Sequence, residues 1–186
     1  MNSQLTANIP GMADIDPVPW LDAEEQAVWL GFIGVLIHLP AALDAQLRRD
    51  AGLSHFEYQI LAALSMSETR TLRMSDIAEF TEGSLSRLSH ACRRLEAQGW
   101  LTRRTDPYDR RATIAALTDD GYAKVVDAAP GHVRTVRSLV CDPLTRAQVK
   151  QLGAVTARIE AALGTERLGP TGARSSTRTR GDSPAA

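Results

Sequence analysis

Apolar residues crowd the chain soon after Asp22. Val28, Trp29, Phe32, Ile33, Leu36 and Ile37 fall at helical spacing, and further apolar neighbours make this helix apolar nearly all round. Asp22, with Glu25 three positions on, supplies the capping box that opens it. Pro40 is expected to kink or end the helix, with Ala41 to Leu47 resuming it. So much apolar surface exceeds what one small domain needs from a surface helix, and it points to a second subunit lying against it. A second capping box, Ser54 and Glu57, opens a helix that shows Phe56, Ile60, Leu61 and Leu64 on one face. A short helix near Ser75 to Phe80 turns Ile77 and Ala78 inward. Thr81-Glu82-Gly83-Ser84 then makes a turn in which Gly83 is free to take a positive φ. The next helix runs from about Ser84 or Ser86 to Gln98 and stops at Gly99. Its inward stripe is Leu85, Leu88, Cys92 and Leu95, which leaves Ser86, Arg87, Ser89, His90, Arg93 and Arg94 on the opposite face.

After Gly99 the period changes. Trp100 to Arg104 and Thr113 to Leu117 read as short strands joined by the turn Asp106-Pro107-Tyr108-Asp109, a β-hairpin with an arginine-rich tip. Thr118 starts a long helix, expected to bend at Pro130. A last helix opens at Thr145, with Gln148 three residues on, and uses Val149, Leu152, Val155, Ile159 and Leu163. Residues 1–18 lack an apolar period and read as a flexible arm. Residues 164–186 are dominated by Gly, Pro, Ser, Thr and Arg and read as a disordered tail. The fold expected is mainly α, with one small hairpin.

Length and composition narrow the class. The chain has 186 residues, 44% hydrophobic and 23% charged, which suits one soluble globular domain. The longest apolar run, Val28 to Leu39, is broken by Gly31, Gly34 and His38, falls short of the ~20 residues of a spanning helix, and reads as buried rather than membranous. No export signal is visible, and two cysteines cannot make a disulfide framework, so a reduced cytoplasmic protein is expected. The net charge of −1 conceals an asymmetry. Residues 1–63 carry a net −6 and residues 84–111 a net +4, seven arginines against three acids. A polyanion met by one face only would suit that division.

Helix, short helix, turn, exposed basic helix and basic hairpin follow one another in the order of a winged helix-turn-helix. A helix fits the ~12 Å major groove of B-DNA, where polar outward residues meet base edges. The hairpin can carry arginine to the neighbouring minor groove. Three segments also resemble one family: Leu95 to Arg103, then Asp106-Pro-Tyr-Asp109-Arg110-Arg111, then Leu117-Thr118-Asp-Asp-Gly121. Together they are similar to the MarR family of bacterial transcriptional regulators, over roughly Asp22 to Leu163.

That resemblance implies a winged helix-turn-helix at about 54–118. It also implies intertwined N- and C-terminal dimerisation helices at about 22–50 and 119–163, within a domain spanning 19–163. It implies a homodimer on double-stranded DNA carrying an inverted repeat, released by a small-molecule or redox signal, and hence a ligand-responsive repressor. Ser86, Arg87, Ser89, His90, Arg93 and Arg94 would line the recognition helix, and Arg110 and Arg111 the wing. Asp109, acidic inside a basic tip, is expected to orient a neighbouring arginine by a charge-assisted hydrogen bond. Trp20, Trp29 and Phe32 are candidates for an effector pocket.

Other readings stay open. Cys92 lies on an apolar stripe and reads first as packing. A thiol-redox regulator would need it exposed and of low pKa. Cys141 carries no assignable role. His38, His55 and His132 share no metal-ligand spacing, so no metal or other cofactor is expected. No phosphate loop, nucleophile elbow or zinc-protease motif is present, which argues against an enzyme. A winged-helix protein-interaction module without DNA binding is the rival from a different class.

Overall fold

A computed structural model describes residues 18–164. The readings of residues 1–17 as an arm and of 165–186 as a tail lie outside the described residues. The chain divides into two compact units, one ending at His38 and the other beginning at Leu39.

The first unit contains most of helix α1 (Ala23–Ala51). Its start is capped as expected: the Glu25 N–H donates to Asp22 Oδ1, and the Asp22 N–H donates to Glu25 Oε2, both at 2.9 Å. The helix neither ends nor restarts at Pro40. One missing N–H removes one rung of the ladder, and the rungs on either side carry the helix through. Val28, Trp29, Leu30, Val35, Leu36 and Ile37, on the helix expected to lie against a second subunit, are exposed in the single chain.

In the second unit, α2 (His55–Met66) and α4 (Leu85–Ala97) enclose the core with α3 (Met74–Phe80) and α5 (Asp119–Val136). Leu47, Ile60, Leu61, Leu64, Ile77, Leu88, Cys92 and Leu95 meet there with Leu101 and Ala115 from the sheet. The sheet has three antiparallel strands, β1 (Thr71–Arg73), β2 (Leu101–Thr105) and β3 (Thr113–Leu117), with β3 in the centre. The hairpin is therefore anchored to the helices by β1, whose Leu72 pairs with Ala115. Three residues are too few to show a strand period. After α5, which runs through Pro130, a π-helical turn (Arg137–Cys141) leads to α6 (Arg146–Ala162).

Two local expectations are corrected. Gly83 does not take the positive φ; Glu82 does, at 47°. There the Glu82 N–H bonds the Glu79 carbonyl and the Gly83 N–H bonds Ala78, a helix-ending motif one position earlier than the glycine. Gly83 is instead a place of close approach, since a Cβ would stand 2.8 Å from the Phe56 ring. Leu85 is 62% exposed rather than inward. It is the first residue of α4, and only from Leu88 onward does the stripe meet the core.

Candidate functional site

The outward face of α4 is set by its ends. The Ser84 side chain accepts from the Arg87 N–H and starts the helix. Gly99, at φ +74°, stops it, with the Gly99 and Trp100 N–H groups returned to Glu96 and Leu95. Between them Ser86, Arg87, His90, Arg93 and Arg94 are exposed and Ser89 is half-buried. Arg93 Nη1 lies 3.4 Å from His90 Nδ1, so these two side chains occupy one patch. Arg87 lies over the Phe56 ring at 4.1 Å from its centre. Arg94 behaves differently from its neighbours: its Nε donates to Glu57 Oε1 at 2.9 Å.

Glu57 is buried, and its other oxygen accepts from the Ser54 N–H and hydroxyl at 2.9 and 2.7 Å. Burial alone would raise its pKa, but the Ser54 bonds and the Arg94 guanidinium outweigh it and hold the carboxyl below its ordinary range. A charged Glu57 thus ties the recognition face to the start of α2.

The wing is braced from below. Asp106 is buried, accepts from the Tyr108 N–H at 2.8 Å, and pairs with Arg73 of β1 at 2.9 Å. Those contacts, the Tyr108 N–H first, hold its carboxyl below the usual range. Glu96 of α4 binds the Arg103 N–H and guanidinium, which locks β2 to the recognition helix. Arg110 and Arg111 stand exposed at the tip. Asp109 does not hold an arginine side chain as expected; its Oδ1 accepts the Arg111 backbone N–H at 3.0 Å. A short carboxylate reaches the backbone two residues on more readily than a mobile guanidinium, so it shapes the tip. The bracing roles of Arg73, Asp106, Glu96 and Arg103 were missed. Only the two aspartates of the turn hinted at them.

A cavity of about 310 Å³ opens where the end of α1, the start of α2 and the flank of α4 meet. Trp20 and Trp29 are exposed and Phe32 is half-buried, and none of the three lines this cavity. Cys92 is buried against Met74, and burial pushes its thiol up to about 11, the reverse of what a peroxide-reactive thiolate requires. His55 and His132, distant in sequence, come within 5.9 Å of one another, and the Tyr58 ring lies 4.6 Å from His132. Among the described residues no group of His, Cys, Asp and Glu could hold a metal ion.

Burial holds both histidines below their ordinary pKa, and the neighbouring His55 adds to the effect at His132. The folded state therefore binds these protons less readily than the unfolded chain. Their contribution to stability is full above about pH 6.5 and is lost as pH falls through the lower folded values. The unfolding temperature should drop as pH falls below about 6.5. His132→Phe, which keeps a ring beside Tyr58 and removes the buried, unpartnered Nδ1, should flatten that dependence. An unchanged pH profile in the variant would exclude His132 as its source.

Residues 51–112, from the end of α1 to the wing, match the MarR family. The HTH-type transcriptional regulator PecS of Dickeya dadantii is 30% identical over 146 residues, 76% of this chain and 85% of PecS. Sco3205 of Streptomyces coelicolor, a MarR family transcriptional regulator solved in complex with DNA, is 45% identical with a TM-score of 0.73, covering 77% of this chain and 94% of its own. AbsC, a MarR family regulator from the same organism, is 35% identical with a TM-score of 0.72, covering 78% and 97%.

Proposed function

The chain belongs to the MarR family of transcriptional regulators, and from that premise we propose that it binds double-stranded DNA as a homodimer at an inverted repeat. Members of this family are regulators of transcription and not enzymes. The observation that carries the reading is the placement of the Arg93–His90 patch beside a wing whose tip arginines stand on a braced loop. In this reading α4 enters the major groove, with Ser86, Ser89, His90 and Arg93 toward the bases and Arg87, held over the Phe56 ring, and Arg94 at the flank. Arg110 and Arg111 reach the adjacent minor groove and backbone.

The dimer is supported by the apolar rows left exposed on α1 and α6. By length and composition α1 could also cross a membrane. We assign its apolar row to the second protomer, because the same chain presents a DNA-reading face, and place the protein in the cytoplasm. Repression relieved by a small effector is the regulatory mode proposed, with exposed Trp20 and Trp29 and half-buried Phe32 as aromatic contacts for the effector.

Titrations against specific and scrambled duplexes at several salt concentrations test the DNA reading. Arg93→Ala should cost roughly 1–3 kcal/mol on specific DNA and relax preference at one base position per half-site. Arg111→Ala should weaken both duplexes alike and lower the salt slope by about one per lost phosphate contact. If Arg111→Ala leaves affinity and slope untouched, the wing does not contact DNA. If Arg93→Ala weakens both duplexes equally, that residue holds backbone rather than bases.

A further inference from the structure

The cavity beside α4 has a wall that the recognition face does not account for. It is lined by Arg87, His90 and Arg94 from α4, Phe56 from α2, and Asp44 and Arg48 from the end of α1. Each guanidinium in it is held by a fixed partner. Asp44 Oδ2 accepts from Arg48 Nε at 2.6 Å, while its Oδ1 accepts the His55 N–H at 2.8 Å. Glu57 holds Arg94 through Nε in the same way, and Phe56 supports Arg87 from below. A guanidinium has five N–H donors, so donors remain on the terminal nitrogens of Arg48 and Arg94 after those bonds. Three guanidiniums against the two carboxylates Asp44 and Glu57 leave a single positive charge.

We propose that this cavity is an oxyanion seat, and that its occupant is one backbone phosphate of the bound duplex, gripped by Arg48 together with Arg87 and Arg94. The proposal rests on the DNA reading above and extends it to α1, a helix outside the helix-turn-helix. One leftover positive charge matches one phosphodiester. The position matches as well: Arg87, Arg94 and the cavity lie along the flank of α4, and the sugar–phosphate backbone borders a helix seated in the major groove on its flanks. Asp44 and Glu57, which would repel a phosphate if bare, serve as positioning residues because each is already spent on an arginine and a backbone N–H. The seat therefore adds affinity and fixes orientation without reading sequence.

The test titrates the full chain with a mixed-sequence duplex at several chloride concentrations. Arg48→Ala should reduce the slope of log affinity against log salt by about one per DNA-binding head, the signature of one lost phosphate contact. Asp44 can keep its bond to the His55 N–H in this variant, and its circular dichroism spectrum checks that it folds. Arg49→Ala, which removes the same charge from the next position, where it pairs with Asp50, should leave the slope unchanged. Equal slopes for the wild type, Arg48→Ala and Arg49→Ala overturn the duplex phosphate as occupant while leaving the DNA reading standing. A wild-type protein that binds no duplex overturns that reading and the seat with it. Inorganic phosphate, exchanged for chloride at constant ionic strength, separates the two sources of oxyanion. Should phosphate raise the unfolding temperature of the wild type but not of Arg48→Ala, with both DNA slopes equal, the cavity receives free oxyanions and the duplex assignment falls. A smaller slope for Arg48→Ala alone supports it.

Discussion

Gly121→Ala is expected to destabilise the folded chain by about 2–4 kcal/mol, a large share of the stability of a domain this size. A Cβ at position 121 would stand 1.9 Å from the carbonyl oxygen of Trp100 and 2.8 Å from Leu117 Cδ1. The first obstacle is backbone, so no rotamer change relieves it. The first turn of α5 would have to lift away from the start of β2. That movement would strain the bonds that join them, the Thr118 N–H to the Trp100 carbonyl at 3.1 Å and the Thr118 hydroxyl to the Gly99 carbonyl at 2.7 Å. The same Thr118 hydroxyl accepts the Gly121 N–H and caps α5. Urea unfolding of the purified variant measures the loss; an unchanged midpoint would mean that α5 does not approach Trp100 so closely. The glycine of the Leu-Thr-x-x-Gly segment is thus required by the crossing of two backbones.

Val155→Asp combined with Ile159→Asp should convert the proposed dimer to monomer and reduce affinity for a two-half-site duplex by a factor on the order of 10²–10⁴. Val155 and Ile159 are exposed on α6 and Leu163 at its C-cap, and α1 exposes Val28, Leu30, Val35, Leu36 and Ile37. Rows of large apolar residues left exposed along a helix are uncommon on a monomer and mark a place where another chain lies. Two heads joined on one duplex bind the second half-site as an intramolecular event, and that advantage vanishes when the protomers separate. Light scattering gives the mass of each form, and titration with the whole and the half site gives the affinities. A wild-type chain that is monodisperse and monomeric would refute the dimer.

Much of this was legible along the chain, because local chemistry decides helix ends. Ser54 with Glu57, Thr145 with Gln148, and Asp22 with Glu25 mark three starts that depend on a side chain reaching an N–H three residues away. Gly99 marks a stop because the left-handed conformation there is cheapest for glycine. Spacing of three and four residues put Leu88, Cys92 and Leu95 inside and the arginines outside, and a change of period marked the hairpin. These are short-range rules, and each acts within a few residues.

What failed to show in the sequence depends on contacts between segments far apart. Glu57 looks like one half of a capping box; only the fold brings Arg94 to its free oxygen. Asp106 looks like a turn residue until β1 delivers Arg73 beneath it, and β1 itself exists because β3 offers it an edge. Leu85 obeys the stripe yet finds nothing above it, and Gly83 is required by the Phe56 ring rather than by its own torsion. The chain by itself determined which helices form, several of their capped starts, the stop at Gly99, and which side of α4 faces water, since hydrogen bonding and apolar period are properties of neighbouring residues. Tertiary structure alone decided how the arginines are held, which glycines cannot change, and that Arg48 stands beside the recognition helix, because a guanidinium's partner is chosen by proximity in space and no periodicity in sequence records it.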